Sequence, residues 1–194
     1  MKLNNKTKII GFNTILVPYM EHHVPKYHNW MKSEELRTLT ASEPLTLEEE
    51  YEMQKSWRKD EDKCTFIILD RYAYQNGSNE IESMIGDTNI FITDKDNSIG
   101  EIEIMIAEQS ARGKKFGWEA VILMLIYGIK FIHIKTFEAK ISLNNLVSIK
   151  MFNKLGFLEK SRSKIFGEVT LEKTISEDWT NWLQEQVKLD MTVY

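Results

Sequence analysis

The sequence predicts a single α/β domain in which a mixed sheet carries helices on both faces. Three observations lead there. Gly100-Glu-Ile-Glu-Ile-Met-Ile-Ala107 alternates as a half-buried strand does, with Ile102, Ile104 and Ile106 on one face and Glu101, Glu103 and Met105 on the other. It leads through Arg112-Gly-Lys-Lys-Phe-Gly117 into a run from Gly117 to about Phe131 that is apolar nearly all round, the pattern of a helix laid on a sheet and covered by other elements. Phe137 to Ile141 then reads as a strand again, and a right-handed crossover places the strands ending near Ala107 and Ile141 side by side.

The remaining elements follow in chain order. Residues 1–13 form an N-terminal extension. Thr14 to Tyr19 is a short apolar strand, and Val24 to Met31 carries Tyr27, Trp30 and Met31 at helical spacing. Thr46-Leu-Glu-Glu49 is a capping box that starts a helix running to about Arg58, with Leu47, Tyr51 and Met53 to Trp57 facing inward. Thr65 to Leu69 and Met84 to Thr93 are strands joined as a long hairpin with a polar tip, Gln75 to Glu80. Asn145 to Leu155 is an amphipathic helix ended by Gly156, and Phe157 to Lys160 and Val169 to Thr174 complete the sheet. A C-terminal helix and tail occupy 176–194, with Glu177 and Asp178 suiting the helix dipole and Trp179, Trp182 and Leu183 on one face.

Composition narrows the function classes. With 194 residues and 42% hydrophobic content, one sizeable core is expected. A net charge of -4 supplies no basic field for a nucleic-acid backbone, so any phosphate site must be local. Cys64 is the single cysteine, which excludes an internal disulfide and, with the polar opening Lys2-Leu-Asn-Asn-Lys6, points to the cytoplasm. The longest apolar run, Ala120 to Tyr127, is far short of the roughly 20 residues a membrane span needs.

The turn from Arg112 to Gly117 is the first chemical signal. A strand, then Arg-Gly-x-x-x-Gly, then a helix leaves unpaired N–H groups at the positive end of the helix dipole, with Lys114 and Lys115 adding charge: an anion site. A dinucleotide fingerprint would want its glycines in the first βα unit and an acid about 20 residues on, and a P-loop would need Gly-Lys-Ser/Thr. Neither pattern is present.

Gln109-Ser-Ala-Arg-Gly-Lys-Lys-Phe-Gly-Trp-Glu-Ala120 resembles the acetyl-CoA loop of the GNAT acetyltransferases, and Asn145-Leu-Val-Ser-Ile-Lys-Met-Phe-Asn-Lys-Leu-Gly-Phe157 is similar to a second block of that superfamily. Lys32-Ser-Glu-Glu-Leu36, Leu39 to Glu48, Asp62-Lys-Cys-Thr-Phe-Ile67 and Gly100 to Glu108 further resemble the N-acetyltransferase nine subgroup, over nearly the whole chain. The resemblance implies a GNAT fold, a mostly antiparallel sheet with splayed parallel strands. It implies acetyl-CoA as co-substrate, with Arg112, Gly113, Lys114, Lys115, Phe116 and Gly117 along the pyrophosphate. Met105, Ile106 and Ala107 would pair with the pantetheine arm, and Asn145, Ser148 and Phe152 would lie beside it. It also implies a protein or peptide amine as acceptor, and tubulin or microtubules as a partner. Two positions depart from the pattern. Lys115 replaces its central glycine, which costs about 1–2 kcal/mol if the site needs a positive φ. Phe152 replaces the tyrosine that protonates the leaving thiolate in many members.

Attack on a thioester needs a neutral amine, so a base must take a proton. Glu101 and Glu103, on one face of the strand feeding the turn, are the candidates, provided burial raises one towards pH 7; otherwise they are exposed sheet carboxylates. The acids Glu43, Glu48, Glu49, Glu50 and Glu52 read as a solvated helix start complementing the dipole, with attraction of a cationic peptide or lysine to the substrate side as the alternative. His22, His23 and His28 lack a carboxylate or cysteine at helical spacing to complete a ligand set, so no metal is expected. Cys64 reads as packed rather than nucleophilic, and Trp118 as a cap on the core rather than a platform for adenine. The leading function is direct acetyl transfer to a protein amine in a ternary complex. A scaffold with weakened chemistry is its rival, motivated by Lys115 and Phe152, and acylation of a small amine such as a polyamine or aminoglycoside is the third reading.

Overall fold

The computed structural model describes residues 2–194; of the expected extension over 1–13, Met1 lies outside the described residues. One nine-stranded sheet runs through the molecule in the order β7-β8-β6-β5-β4-β3-β2-β1-β9. Its strands are β1 (Thr7–Ile10), β2 (Thr14–Pro18), β3 (Lys63–Asp70), β4 (Met84–Asp94), β5 (Ile99–Ile106), β6 (Thr136–Ser142), β7 (Leu158–Ser163), β8 (Glu168–Thr174) and β9 (Asp190–Val193). All neighbours are antiparallel except β5 and β6, which run parallel through three pairs, Ile99 with Thr136, Gly100 with Phe137 and Glu101 with Glu138. Beyond Glu101 the two strands part. The expected side-by-side crossover and splayed parallel pair are therefore present.

The helices are α1 (Val24–Met31), α2 (Glu34–Thr40), α3 (Leu47–Lys59), α4 (Arg71–Gln75), α5 (Glu80–Ser83), α6 (Phe116–Tyr127), α7 (Leu146–Lys154) and α8 (Glu177–Gln186). The core divides at the sheet. On one side Ile102, Phe137 and Leu171 of the strands meet Ala120–Tyr127 of α6, Phe152 of α7, and Trp179 and Leu183 of α8. On the other, Ile67, Leu69, Val17 and Met105 meet Val24, Tyr27, Trp30 and Met31 of α1 and Leu36 of α2. The all-round apolar helix is explained here: α6 has nine consecutive buried residues, Glu119 to Tyr127, because it is sandwiched between the sheet and α8. Its one buried carboxylate, Glu119, accepts hydrogen bonds from the amides of Phe12 (2.6 Å) and Asn13 (2.8 Å) and from the Thr14 hydroxyl (3.0 Å), fixing the β1–β2 turn to the helix.

Several expectations need correction. Within the expected extension 1–13, Thr7–Ile10 form β1, which pairs with β2 and also with β9 near the C-terminus, so the tail lies at an edge of the sheet. Ser33, a side-chain N-cap for α2, starts a helix that propensity did not reveal. The loop between β3 and β4 is not a hairpin tip: Asp70 and Asn79 cap the short helices α4 and α5. In α3 the Thr46–Glu49 capping box forms, yet Leu47 is exposed and Glu50 is buried against His28, so the acidic start is not wholly solvated.

Candidate active site

Where β5 and β6 diverge, a cleft of about 620 Å³ opens between them. One wall is the β5 face of Glu101, Glu103 and Met105; the other is Lys140 to Ser142 of β6 with Asn145, Ser148 and Phe152 of α7. The C-terminal end of α2, Leu39 to Ser42, and the β7–β8 turn at Phe166 to Glu168 close its mouth. Period-two geometry puts Lys63 of β3 and Asp87 and Asn89 of β4 on the same floor as the two glutamates, and Tyr27 and Trp57 reach it from α1 and α3.

The turn between β5 and α6 keeps unpaired donors. Among the described residues, the amides of Gly113, Lys114 and Lys115 have no backbone partner, and those of Phe116 to Trp118 open α6. Gly113 sits at φ +73° and Lys115, the N-cap of α6, at φ +66°. The side chains of Lys114 and Lys115 are solvent-exposed. The Arg112 side chain is engaged within the chain. Its guanidinium donates from Nε to the Ile106 carbonyl (3.0 Å) and pairs with Glu35 at 2.8 Å, so the side chain braces the turn against β5 and α2. Trp30 Nε1 donates to Glu108 at 2.8 Å and clamps α1 to the same corner. At Gly86, opposite Ile106, an added Cβ would lie 1.9 Å from the Met105 carbonyl oxygen, so only glycine lets β4 approach β5 here.

The structure brings most of the sequence-predicted residues together but sorts them by role. The Asn145 side chain caps α7 by accepting from the Ser148 amide at 3.1 Å. Phe152 is 2% exposed and packs edge-on against Phe157, so its ring is part of the core as well as a wall of the cleft. Glu101 is committed to Lys140, with 2.6 Å between the charged atoms. Glu103 accepts from Asn89 Nδ2 at 2.7 Å. Sequence reading missed Asp87. It is buried, its Oδ1 has no hydrogen-bond partner, and burial, reinforced by the Glu103 carboxylate and opposed by Lys63, pushes its carboxyl up to about 7. Its only sequence signal was an acid inside the predicted strand Met84 to Thr93.

Sites set aside at the sequence level look different in space. Glu80 supplies a carboxylate 2.9 Å from both His22 and His23, although far from them in sequence. Yet His23 Nδ1 accepts the Met20 amide at 2.9 Å, so the proton sits on Nε2, which donates to Glu80 and has no lone pair for a cation. The trio with the Tyr194 hydroxyl, 2.6 Å from Glu80, is a hydrogen-bonded clasp on the C-terminal strand. Burial pushes the Cys64 thiol up to about 12, the state of a packed residue and not of a nucleophile. Trp118 packs edge-on to Trp182 of α8, at 6.4 Å between ring centres.

The mixed sheet with its splayed parallel pair is the fold that the sequence motifs implied, and the comparisons agree with that fold. The pattern of the acetyltransferase (GNAT) domain matches residues 13–158. The chain belongs to the GNAT acetyltransferase family. It is 54% identical to the alpha/beta-tubulin-N-acetyltransferase 9 of Drosophila melanogaster, with 100% of both chains covered. It is likewise 54% identical to the Homo sapiens protein of that name, covering 96% of this chain and 92% of the relative. The solved spermidine N-acetyltransferase from Vibrio cholerae in complex with CoA and spermine superposes with a TM-score of 0.70 over 87% of this chain and 98% of that one; at 15% identity it speaks for the fold alone. This GNAT chain is an acyltransferase, and no helix among the described residues is long and apolar enough to cross a membrane.

Proposed function

We propose that the protein transfers the acetyl group of acetyl-CoA to a primary amine of a protein, by direct attack in a ternary complex, and that its acceptor is tubulin or a tubulin-like chain. One observation carries the reading: β5 lines the acidic floor of the cleft with Glu101, Glu103 and Met105 and then runs on, through the donor-rich turn, into the start of α6. The donor's pyrophosphate suits the free amides of Gly113 to Lys115 and the start of α6, with the Lys114 and Lys115 ammonium groups alongside. Beyond Glu101 β5 is no longer paired with β6, so its edge can receive an extended arm by strand-like hydrogen bonding, with the Ile106 carbonyl already shared with Arg112 and the Ala107 amide given to Ile85.

At the acceptor end Glu101 and Glu103 favour a cationic amine, which would enter at the mouth bounded by the end of α2 and the β7–β8 turn. Backbone amides of β5 supply hydrogen bonds to the oxyanion that develops on the thioester carbonyl. The site offers no hydroxyl at Phe152, so the leaving thiolate takes its proton from the attacking amine or from water. The tubulin acceptor is the reading that the two relatives' names support, and the cytoplasm is the compartment it implies. The scaffold alternative is not favoured, because Lys115 adopts the left-handed conformation without closing the turn and leaves its amides free.

Calorimetric titration with acetyl-CoA, followed by labelled acetyl transfer to tubulin, to amine-bearing peptides and to polyamines, tests the reading. Binding of acetyl-CoA and labelling of tubulin are expected. Absence of heat at millimolar acetyl-CoA with the protein folded refutes the cofactor assignment, and labelling confined to polyamines refutes the protein acceptor.

A further inference from the structure

Three carboxylates share the cleft floor, and they are not equivalent. Asp87 is the direct cross-strand partner of Met105, at the head of the segment proposed to hold the thioester arm. Glu103 lies two residues back along β5, about 7 Å away, and Glu101 four residues back, about 14 Å. Glu101 is already paired with Lys140 and Glu103 already accepts from Asn89. Asp87 is the one with an orphaned oxygen, Oδ1, in a side chain more than nine-tenths buried, and a buried polar atom without a partner inside a cleft is a position made for something that arrives.

We propose that Asp87 is the general base of the transfer reaction, a role that rests on the acetyltransferase reading given above. The acceptor enters as R–NH3+ and gives one proton to the Asp87 carboxylate, which becomes the neutral acid. The freed lone pair attacks the thioester carbonyl carbon, the C–S bond breaks, and the thiolate leaves with the second proton shed by the nitrogen. The products are the amide, the thiol and one proton, which Asp87 holds until solvent removes it. Glu103 and Lys63 flank Asp87 from β5 and β3, Tyr27 of α1 and Tyr19, just past β2, lie within electrostatic range of it, and Glu50 of α3 acts on both tyrosines. Their opposed charges tune the base: Glu103 strengthens its hold on the proton and Lys63 weakens it.

The test is the pH dependence of kcat/KM for a peptide amine in the full-length protein, compared across Asp87→Asn, Glu103→Gln and Lys63→Met. Asp87→Asn is expected to lower kcat by about 10²–10⁴-fold with unchanged acetyl-CoA affinity, and to abolish the acid limb near pH 7. Glu103→Gln is expected to move that limb to lower pH and Lys63→Met to higher pH, whereas the acceptor's own titration is common to all variants. Wild-type kcat with an intact limb in Asp87→Asn, or a limb that neither neighbour moves, overturns the assignment. A wild-type protein that binds acetyl-CoA and labels no amine refutes the underlying acetyltransferase reading instead, before any variant is compared.

Discussion

The ammonium of Lys140 lies 2.6 Å from a carboxylate oxygen of Glu101, and this ion pair spans the two parallel strands just past their last shared register position, Glu101 with Glu138. It stands at the fork of the cleft and neutralises one of the acidic groups of the floor. Lys140 is 46% exposed, so solvent screens the pair. Lys140→Met is expected to cost less than about 1 kcal/mol in urea denaturation. It also removes a cation that competes with the acceptor, so the KM for a cationic peptide amine should fall about two- to fivefold. A KM that rises would show that Lys140 helps hold the acceptor.

Lys115 holds φ +66° at the N-cap of α6, where a Cβ is strained by about 1–2 kcal/mol, while glycine there loses about 0.5–1 kcal/mol of chain entropy. Lys115→Gly is therefore expected to stabilise the fold by up to about 1 kcal/mol, read from the urea midpoint. Acetyl-CoA affinity moves the other way if the ammonium contributes to the phosphate site, with a few-fold weaker Kd by calorimetry that grows less marked at high salt. A tighter Kd would mean that the side chain obstructs the turn.

Gly86 is held by sterics and not by turn geometry. The Cβ of Gly86→Ala would sit 1.9 Å from the Met105 carbonyl oxygen, so β4 and β5 must separate at the head of the cleft. A loss of about 1–3 kcal/mol in stability is expected, since strand backbone and not a flexible side chain has to move. A drop in kcat larger than any change in acetyl-CoA affinity should accompany it, because Asp87 is displaced with the strand.

Asp87 also makes stability depend on pH. Its carboxyl is raised from 3.8 to about 7 by burial and Glu103, so between about pH 4 and pH 7 the folded chain keeps a proton that the unfolded chain has lost. The wild-type protein thus loses stability as pH rises through that window, and the penalty is complete above it. Asp87→Asn removes the penalty. Its stability relative to wild type should rise by a few kcal/mol between pH 4 and pH 7, because each tenfold difference in proton affinity between the folded and unfolded chains is worth about 1.4 kcal/mol. Equal pH dependence in the two proteins would place the carboxylate in contact with water or a cation.

Glu80 gives the opposite slope at lower pH. Burial alone would raise it, but hydrogen bonds from His23, Tyr194 and His22 more than offset that and bring it to about 2. The stability it contributes is present above about pH 4.5 and is lost as pH falls towards 2. Glu80→Gln should flatten the acid end of the stability profile and loosen the C-terminal strand, seen as faster amide exchange in Asp190–Val193.

Periodicity alone determined much of this protein. The alternation of Gly100 to Ala107, the all-apolar α6, the Thr46–Glu49 capping box and the Gly113 turn are local signals, each written in a few adjacent residues, and they were enough to set β5, the turn and α6 in order. They also carried the family resemblance. Local signals cannot report a partner far along the chain. That Glu101 belongs to Lys140, that Arg112 braces the turn through Glu35, and that β9 returns to close the edge beside β1 became visible only in three dimensions. The carboxylates show why most sharply. In sequence Glu101 and Glu103 look like the acids of the site and Asp87 like an interruption in a strand. Only the tertiary structure separates the three, because the free energy of an ionised group depends on how much water and which charges surround it, and for Asp87 those surroundings come from β3, β5 and α1 together.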